Sequence, residues 1–133
     1  MIRNRLALVA RGVIRDAKTN HISIFNLIEN ITAVGFPLFM ESISFLVVWE
    51  RDVGDDIKYD AVVTISLDSD IIQKHNLIID FGTSTMNRSI ITINALILPK
   101  PGLLEFKMGI PAKQITVKYD ITVEGIETTV TTA

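Results

Sequence analysis

Two histidines and a set of loop aspartates are the residues of this 133-residue chain with the potential for chemistry. His21 and His75 are far apart in the sequence, and no Gly-x-Ser-x-Gly nucleophile motif or glycine-rich phosphate loop accompanies them. The chain has no cysteine, which excludes disulfides, thiolate metal sites and cysteine nucleophiles. We therefore interpret both histidines as surface residues, and we expect neither a catalytic residue nor a bound cofactor.

The aspartates occur in segments that have the composition of turns. Calcium takes hard oxygen ligands from neighbouring loops, and the candidate ligands are Asp16, Asp52, Asp55 and Asp56. A simpler interpretation is that these residues only form turns, because Asp and Asn are common turn formers. The same carboxylates could also be the general acid and base of a hydrolase, as in glycoside hydrolysis. The calcium module and the hydrolase are the two alternatives to a binding domain without a metal.

Period-2 alternation predicts the strands that must position these loops. Apolar and polar residues alternate through 57–67 and 115–124, which is typical of strands with one buried and one solvated face. Weaker alternation extends the prediction to about eight strands: 5–14, 21–32, 43–51, 57–67, 76–82, 88–98, 103–109 and 114–124. The segment 70–75 is predicted to form a helical turn.

The spacing of these strands predicts an all-β fold: a two-sheet antiparallel sandwich with an immunoglobulin-like or C2-like Greek key. Residues 1–124 would form this domain, and 125–133 a C-terminal tail or edge strand. Consecutive antiparallel strands return the chain to alternate ends, so loops 15–20, 52–56, 83–88 and 109–113 are expected to share one end. That end would hold the four aspartates and His21, and the opposite end would hold His75.

Two segments resemble a known kind of β domain. Residues 94–108 form an alternating strand that ends in Pro-x-Pro-Gly, followed by a second alternating strand. Residues 13–29 form a strand, an Asp-x-x-Thr-Asn turn and a further strand. Together they resemble an uncharacterised prokaryotic β-sandwich family of unknown function, immunoglobulin-like in its Pro-Gly signature. The resemblance implies a fold and no activity.

Several predicted strands are apolar on the face that should point away from the core. Large exposed apolar patches usually mark contacts with other proteins. Loops or the 68–75 segment crossing these strands are the alternative cover. The residues that we predict to form an interface lie on strands 43–51 and 88–98: Leu46, Val48, Ile90, Leu96 and Leu98.

Charge and composition argue against two other kinds of partner. The net charge is −2 and acids and bases are interspersed, so the basic stripe of a nucleic-acid-binding protein is missing. The stretch 30–49 contains a single charge, Glu41, but Gly35 and Pro37 interrupt it, so we expect no membrane span. The sequence favours a non-enzymatic, cytoplasmic interaction or scaffolding domain. Such a domain would bind a protein partner or its own copy, as a homo-oligomer or a subunit of a larger assembly.

Overall fold

The computed structural model describes residues 1–126 and shows an all-β chain. A short 3₁₀ turn over Pro111–Lys113 is its one helical element within those residues. The C-terminal tail or edge strand predicted for 125–133 lies outside the described residues, except for Gly125 and Ile126. The eleven strands are β1 (Arg3–Arg15), β2 (Ile22–Leu27), β3 (Asn30–Ala33), β4 (Leu38–Met40), β5 (Ile43–Glu50), β6 (Lys58–Leu67), β7 (Asp70–Asp80), β8 (Met86–Ile93), β9 (Leu96–Leu98), β10 (Gly102–Ile110) and β11 (Ile115–Gly125).

These strands form three sheets. A four-stranded antiparallel sheet has the order β2-β1-β5-β8, and a five-stranded sheet has the order β3-β11-β10-β6-β7. The five-stranded sheet is antiparallel except for the parallel pair of β3 and β11. Strands β4 and β9 form a two-stranded sheet of their own. The predicted all-β class with antiparallel sheets is therefore confirmed.

The structure has eleven strands among the described residues, whereas the sequence predicted eight. The predicted strand 21–32 divides into β2 and β3, 88–98 divides into β8 and β9, and β4 lies where no strand was predicted. Asn26 has a left-handed backbone with φ 53°, a conformation that asparagine tolerates and that ends an extended run. Directly after it, the Ile28 amide donates to the Val9 carbonyl at 2.9 Å, and the chain then leaves the four-stranded sheet.

The predicted helical turn at 70–75 is wrong, because these residues belong to β7. Asp68 and Ser69 both have positive φ, 48° and 72°. Two consecutive residues of this kind make the two-residue turn that best matches the twist of a hairpin. The chain therefore reverses at once, and β7 pairs with β6 from Asp70 onwards.

One apolar core contains side chains from both of the larger sheets. The rings of Phe45 on β5 and Phe106 on β10 have their centroids 5.5 Å apart, and the Trp49 indole N–H donates to the Met108 sulfur at 3.3 Å. All four side chains are fully buried. Strands β6 and β11 turn their apolar set towards this core and their polar set outwards, as their alternation predicts.

Gly102, the last residue of the Pro-x-Pro-Gly segment, makes room for a carboxylate from another strand pair. The Asp68 carboxylate accepts the Leu103 amide at 2.8 Å, and the Asp68 amide donates to the Leu103 carbonyl at 2.9 Å. A Cβ at position 102 would lie 2.5 Å from an oxygen of that carboxylate. The absence of a side chain at this position therefore lets the β6–β7 turn dock on the start of β10.

Gly102→Ala is expected to lower the free energy of unfolding by about 1.5 to 3 kcal/mol, because the Asp68 carboxylate must leave the Leu103 amide. Urea denaturation followed by circular dichroism measures the change. Gly35→Ala is the matched control, since a Cβ at Gly35 meets nothing within 4 Å. An equal loss of stability in both variants would show that the Asp68 contact is not the cause.

Candidate functional site

The outward face of the four-stranded sheet is apolar, whereas that of strand β11 in the five-stranded sheet is polar. On β11 the outward residues are exposed and polar or charged: Thr116, Lys118, Asp120, Thr122 and Glu124. On the four-stranded sheet, Leu8, Leu46 and Ile90 lie side by side on β1, β5 and β8. Leu6 and Val48 lie side by side in the adjacent row. The structure therefore brings three of the predicted interface residues, Leu46, Val48 and Ile90, onto one face.

That face is covered by the chain itself. Leu46 is fully buried and Val48 is 7% exposed, although neither belongs to the core between the sheets. The Arg88 guanidinium donates to the Asn20 carbonyl at the tip of the β1–β2 hairpin. Arg88 lies level with Val48 and Leu6, near the start of β1, whereas Asn20 follows the far end of β1. The hairpin must therefore turn back over the face.

The predicted interface needs correction, because four of its five residues are not accessible. Leu46 and Val48 lie beneath the β1–β2 hairpin. Leu96 and Leu98 are fully buried in the core, because β9 turns them inwards and exposes Ile97 between them. Ile90 alone keeps an exposed fraction, 36%. The cover is a hairpin, and not the 68–75 segment that we considered for this role.

The hairpin carries the exposed apolar side chains that the sequence interpretation missed. Ile14 on β1 and Ile24, Phe25 and Leu27 on β2 are 40% to 58% exposed. Strand β2 forms the edge of its sheet, with no hydrogen-bonded strand on its outer side among residues 1–126. A signal was present in the sequence, because Ile22 to Ile28 contains no charge and has apolar residues in both strand phases.

Contacts at one end of the molecule bring four loops together, and one of these loops is the tip of the β1–β2 hairpin. Asn20 lies against Arg88, and the Arg51 side chain donates to the Ser84 carbonyl at 3.0 Å. Asp55 and Lys113 line one shared cavity. The four loops that we expected at one end are therefore linked in space, although one of them reaches this position through the folded-back hairpin.

Two carboxylates of the 51–57 loop form ion pairs. Asp52 accepts the Met1 ammonium at 2.6 Å and the Arg3 guanidinium at 3.0 Å. These two partners lower the pKa of Asp52 below its usual value. Asp55 accepts the Met1 ammonium and the Asp52 amide, which lower its pKa as well. A general acid for hydrolysis needs a raised pKa, so these two residues are poorly suited to that role.

Asp16 has the role of a turn former. Its carboxylate accepts the amides of Lys18 at 2.8 Å and Thr19 at 3.0 Å. Those bonds, with Thr19 the stronger influence, lower the pKa of Asp16. Asp56 is exposed. Within residues 1–126 no group of three or more His, Asp or Glu side chains is placed to hold a metal, so the structure does not assemble the four predicted calcium ligands into a site.

The pH dependence of stability should reveal the Asp16 turn. A carboxyl group with a lowered pKa in the folded state stabilises the fold above its unfolded pKa, and this stabilisation is lost as the pH falls through the folded value. We expect wild-type protein to melt above Asp16→Asn at neutral pH and the gap to close as the pH falls below the usual value of 3.8. Thermal melts across that range measure it. A gap that does not change with pH would contradict the ionic character of the turn.

Both histidines are exposed. His21 begins the return strand of the hairpin, where its amide donates to the Thr19 hydroxyl at 3.2 Å. His75 lies opposite Val63 in the middle of β7, not in the helical turn predicted for 70–75, and its ring contacts the Gln73 amide oxygen at 3.0 Å.

No family model, curated protein or solved structure matches the chain. The resemblance to an immunoglobulin-like sandwich family therefore stays a prediction. None of the helical residues within 1–126 forms a segment long and apolar enough to cross a membrane.

Proposed function

We propose that this chain is a non-enzymatic, cytoplasmic interaction or scaffolding domain that binds a protein partner or its own copy. The contact surface in this proposal is the β1–β2 hairpin rather than the face beneath it. One observation carries the proposal: Ile14, Phe25 and Leu27 lie on one face of the hairpin and are each 48% to 58% exposed. Clustered exposed apolar side chains of this kind usually mark a protein contact.

The energetics of burial support a partner for the hairpin. Removing apolar surface from water contributes roughly 25 cal/mol per Å², so three half-exposed large side chains on one face can supply several kcal/mol to an association. The outward residues of β11 offer no comparable surface, because they are polar or charged. On β7 the exposed Ile71 and Ile78 lie seven residues apart, whereas Phe25 and Leu27 are two residues apart on one face of β2. The closer cluster favours the hairpin as the contact.

We propose also that the two larger sheets form a two-sheet sandwich of the immunoglobulin-like or C2-like kind. The shared core supports this, because Phe45 and Phe106 meet from opposite sheets. In this proposal the β4–β9 sheet and the parallel strand β3 are additions to the sandwich.

Sedimentation velocity of the fluorescently labelled chain, alone and in native cell lysate, tests the function. We expect wild-type protein to sediment above the mass of one chain in at least one of these conditions, and Phe25→Asp to return to that mass. Phe39→Asp is the matched control, because Phe39 is also exposed but lies on β4. Wild-type protein that keeps the mass of one chain in both conditions would contradict the proposal.

A further inference from the structure

We propose that the chain binds a phosphoryl group, free or carried by a small molecule, in a cavity between the β1–β2 hairpin and strand β8. The cavity has a volume of about 420 Å³, and its polar lining consists of Arg15, Asn20, Ser84, Asn87 and Arg88. Small-molecule sites usually have volumes of roughly 300 to 1,000 Å³. The site is separate from the proposed contact surface, because Arg15 and Ile14 point to opposite faces of β1.

Two elements that are far apart in the sequence build this cavity. Arg15 ends β1 and Asn20 lies at the tip of the hairpin, whereas Ser84 precedes β8 and Arg88 lies on it. The hairpin folds back over the four-stranded sheet, and the Arg88 guanidinium donates to the Asn20 carbonyl. A ligand in the cavity would therefore contact the hairpin and the sheet at the same time.

The charged residues that line the cavity are both arginines. Arg3 and Arg5 form ion pairs with Glu50, whereas neither Arg15 nor Arg88 forms an ion pair within residues 1–126. Two guanidinium groups at one cavity repel each other, and a bound anion stabilises both of them. The lining therefore favours a ligand with a negative charge.

The carboxylates that are nearest to the cavity in sequence have other partners. Asp16 accepts the amides of Lys18 at 2.8 Å and Thr19 at 3.0 Å. The Asp80 carboxylate accepts the Gly82 amide at 2.9 Å. Neither aspartate lines the cavity, so the two positive charges are available to a ligand.

The arrangement of donors favours a phosphoryl group over a carboxylate. One guanidinium satisfies a planar carboxylate with two parallel hydrogen bonds, so a single carboxylate leaves the second arginine without a partner. A phosphoryl group carries a charge of about −1.5 to −2 at pH 7 and has three acceptor oxygens, which suits two guanidinium groups on separate elements. The Ser84 hydroxyl accepts the Met86 amide at 3.0 Å and keeps its own hydrogen as a further donor.

Titration of the isotope-labelled chain, followed by amide NMR at constant ionic strength, tests the proposal. We expect inorganic phosphate and ribose 5-phosphate to shift the amide signals of 15–20 and 84–88, with saturation below about 10 mM. Acetate should bind at least about tenfold more weakly, because it has less charge and fewer acceptor oxygens. Tighter binding of ribose 5-phosphate than of phosphate would identify a phosphorylated small molecule as the ligand, and equal or weaker binding would identify free phosphate.

Arg15→Gln should weaken the binding of phosphate by about tenfold, because it removes one of the charge-assisted contacts. The Arg15 side chain is exposed, so we expect the variant to fold. Arg11→Gln is the matched control, since it removes the same charge from an exposed site on the same strand that does not line this cavity. It should leave the dissociation constant unchanged. Circular dichroism checks that both variants are folded.

Hydrogen exchange of the wild-type protein gives a second measurement that does not depend on a variant. Saturating phosphate should slow amide exchange in 11–27, because the ligand joins the hairpin to β8, and unchanged exchange there would contradict this position. The proposal is overturned if neither phosphate probe shows saturable binding, if acetate binds as tightly as phosphate, or if Arg11→Gln weakens binding as much as Arg15→Gln. Protein that binds phosphate but gains no mass in lysate would contradict the interaction function alone.

Discussion

Phe106→Ala is expected to lower the free energy of unfolding by about 3 to 5 kcal/mol, the usual range for removing a buried phenylalanine ring. The ring is fully buried at the centre of the five-stranded sheet, and its centroid lies 5.5 Å from that of Phe45 on the facing sheet. Hydrogen bonds to both β6 and β11 hold β10 in place. The sheet therefore cannot collapse fully into the space, and a cavity remains.

Urea denaturation of wild-type and variant protein measures this loss. Phe39→Ala is the matched control, because the Phe39 ring is mostly exposed on β4, and we expect it to cost less than about 1 kcal/mol. Similar losses in the two variants would contradict the burial of Phe106 against Phe45.

Arg51→Met is expected to have the second largest effect, a loss of about 2 to 3 kcal/mol. Arg51 is buried at the end of β5, where its guanidinium donates to the carbonyls of Ser84 at 3.0 Å and Asp55 at 3.1 Å. It also lies 5.7 Å from the centroid of the Phe81 ring. Methionine can fill much of the space but cannot donate, and the loss of each of these part-buried hydrogen bonds costs about 1 to 1.5 kcal/mol.

The effect of Arg51→Met should be greatest in the two loops that the Arg51 side chain joins. Amide hydrogen exchange is expected to increase more in 51–57 and 81–85 than in the rest of the chain, because Arg51 bridges these two loops. Arg5→Met is the control, since Arg5 forms an exposed ion pair with Glu50 at 2.6 Å and such pairs contribute little. A larger effect from Arg5 than from Arg51 would contradict this account.

Local periodicity was enough to predict the class of the fold. The alternation in 57–67 and 115–124 predicted β6 and β11 and the face that each turns to the core, because the pleat of a strand makes neighbouring side chains point in opposite directions. The turn at Asp16 was predictable from the sequence, because the Asp16 carboxylate accepts hydrogen bonds only from amides within three residues of it, those of Lys18 and Thr19.

Only the tertiary structure decided which apolar face is covered and by what. Periodicity assigned Leu46 and Val48 to an outward face, but it contains no information about the return of the β1–β2 hairpin over that face. The same limit explains Leu96 and Leu98, which a break after Ile93 turns into the core. Burial depends on contacts between residues far apart in the chain, whereas alternation reports only on neighbours. The exposed hairpin and the open edge of β2 therefore became visible only once the strands were placed in their sheets.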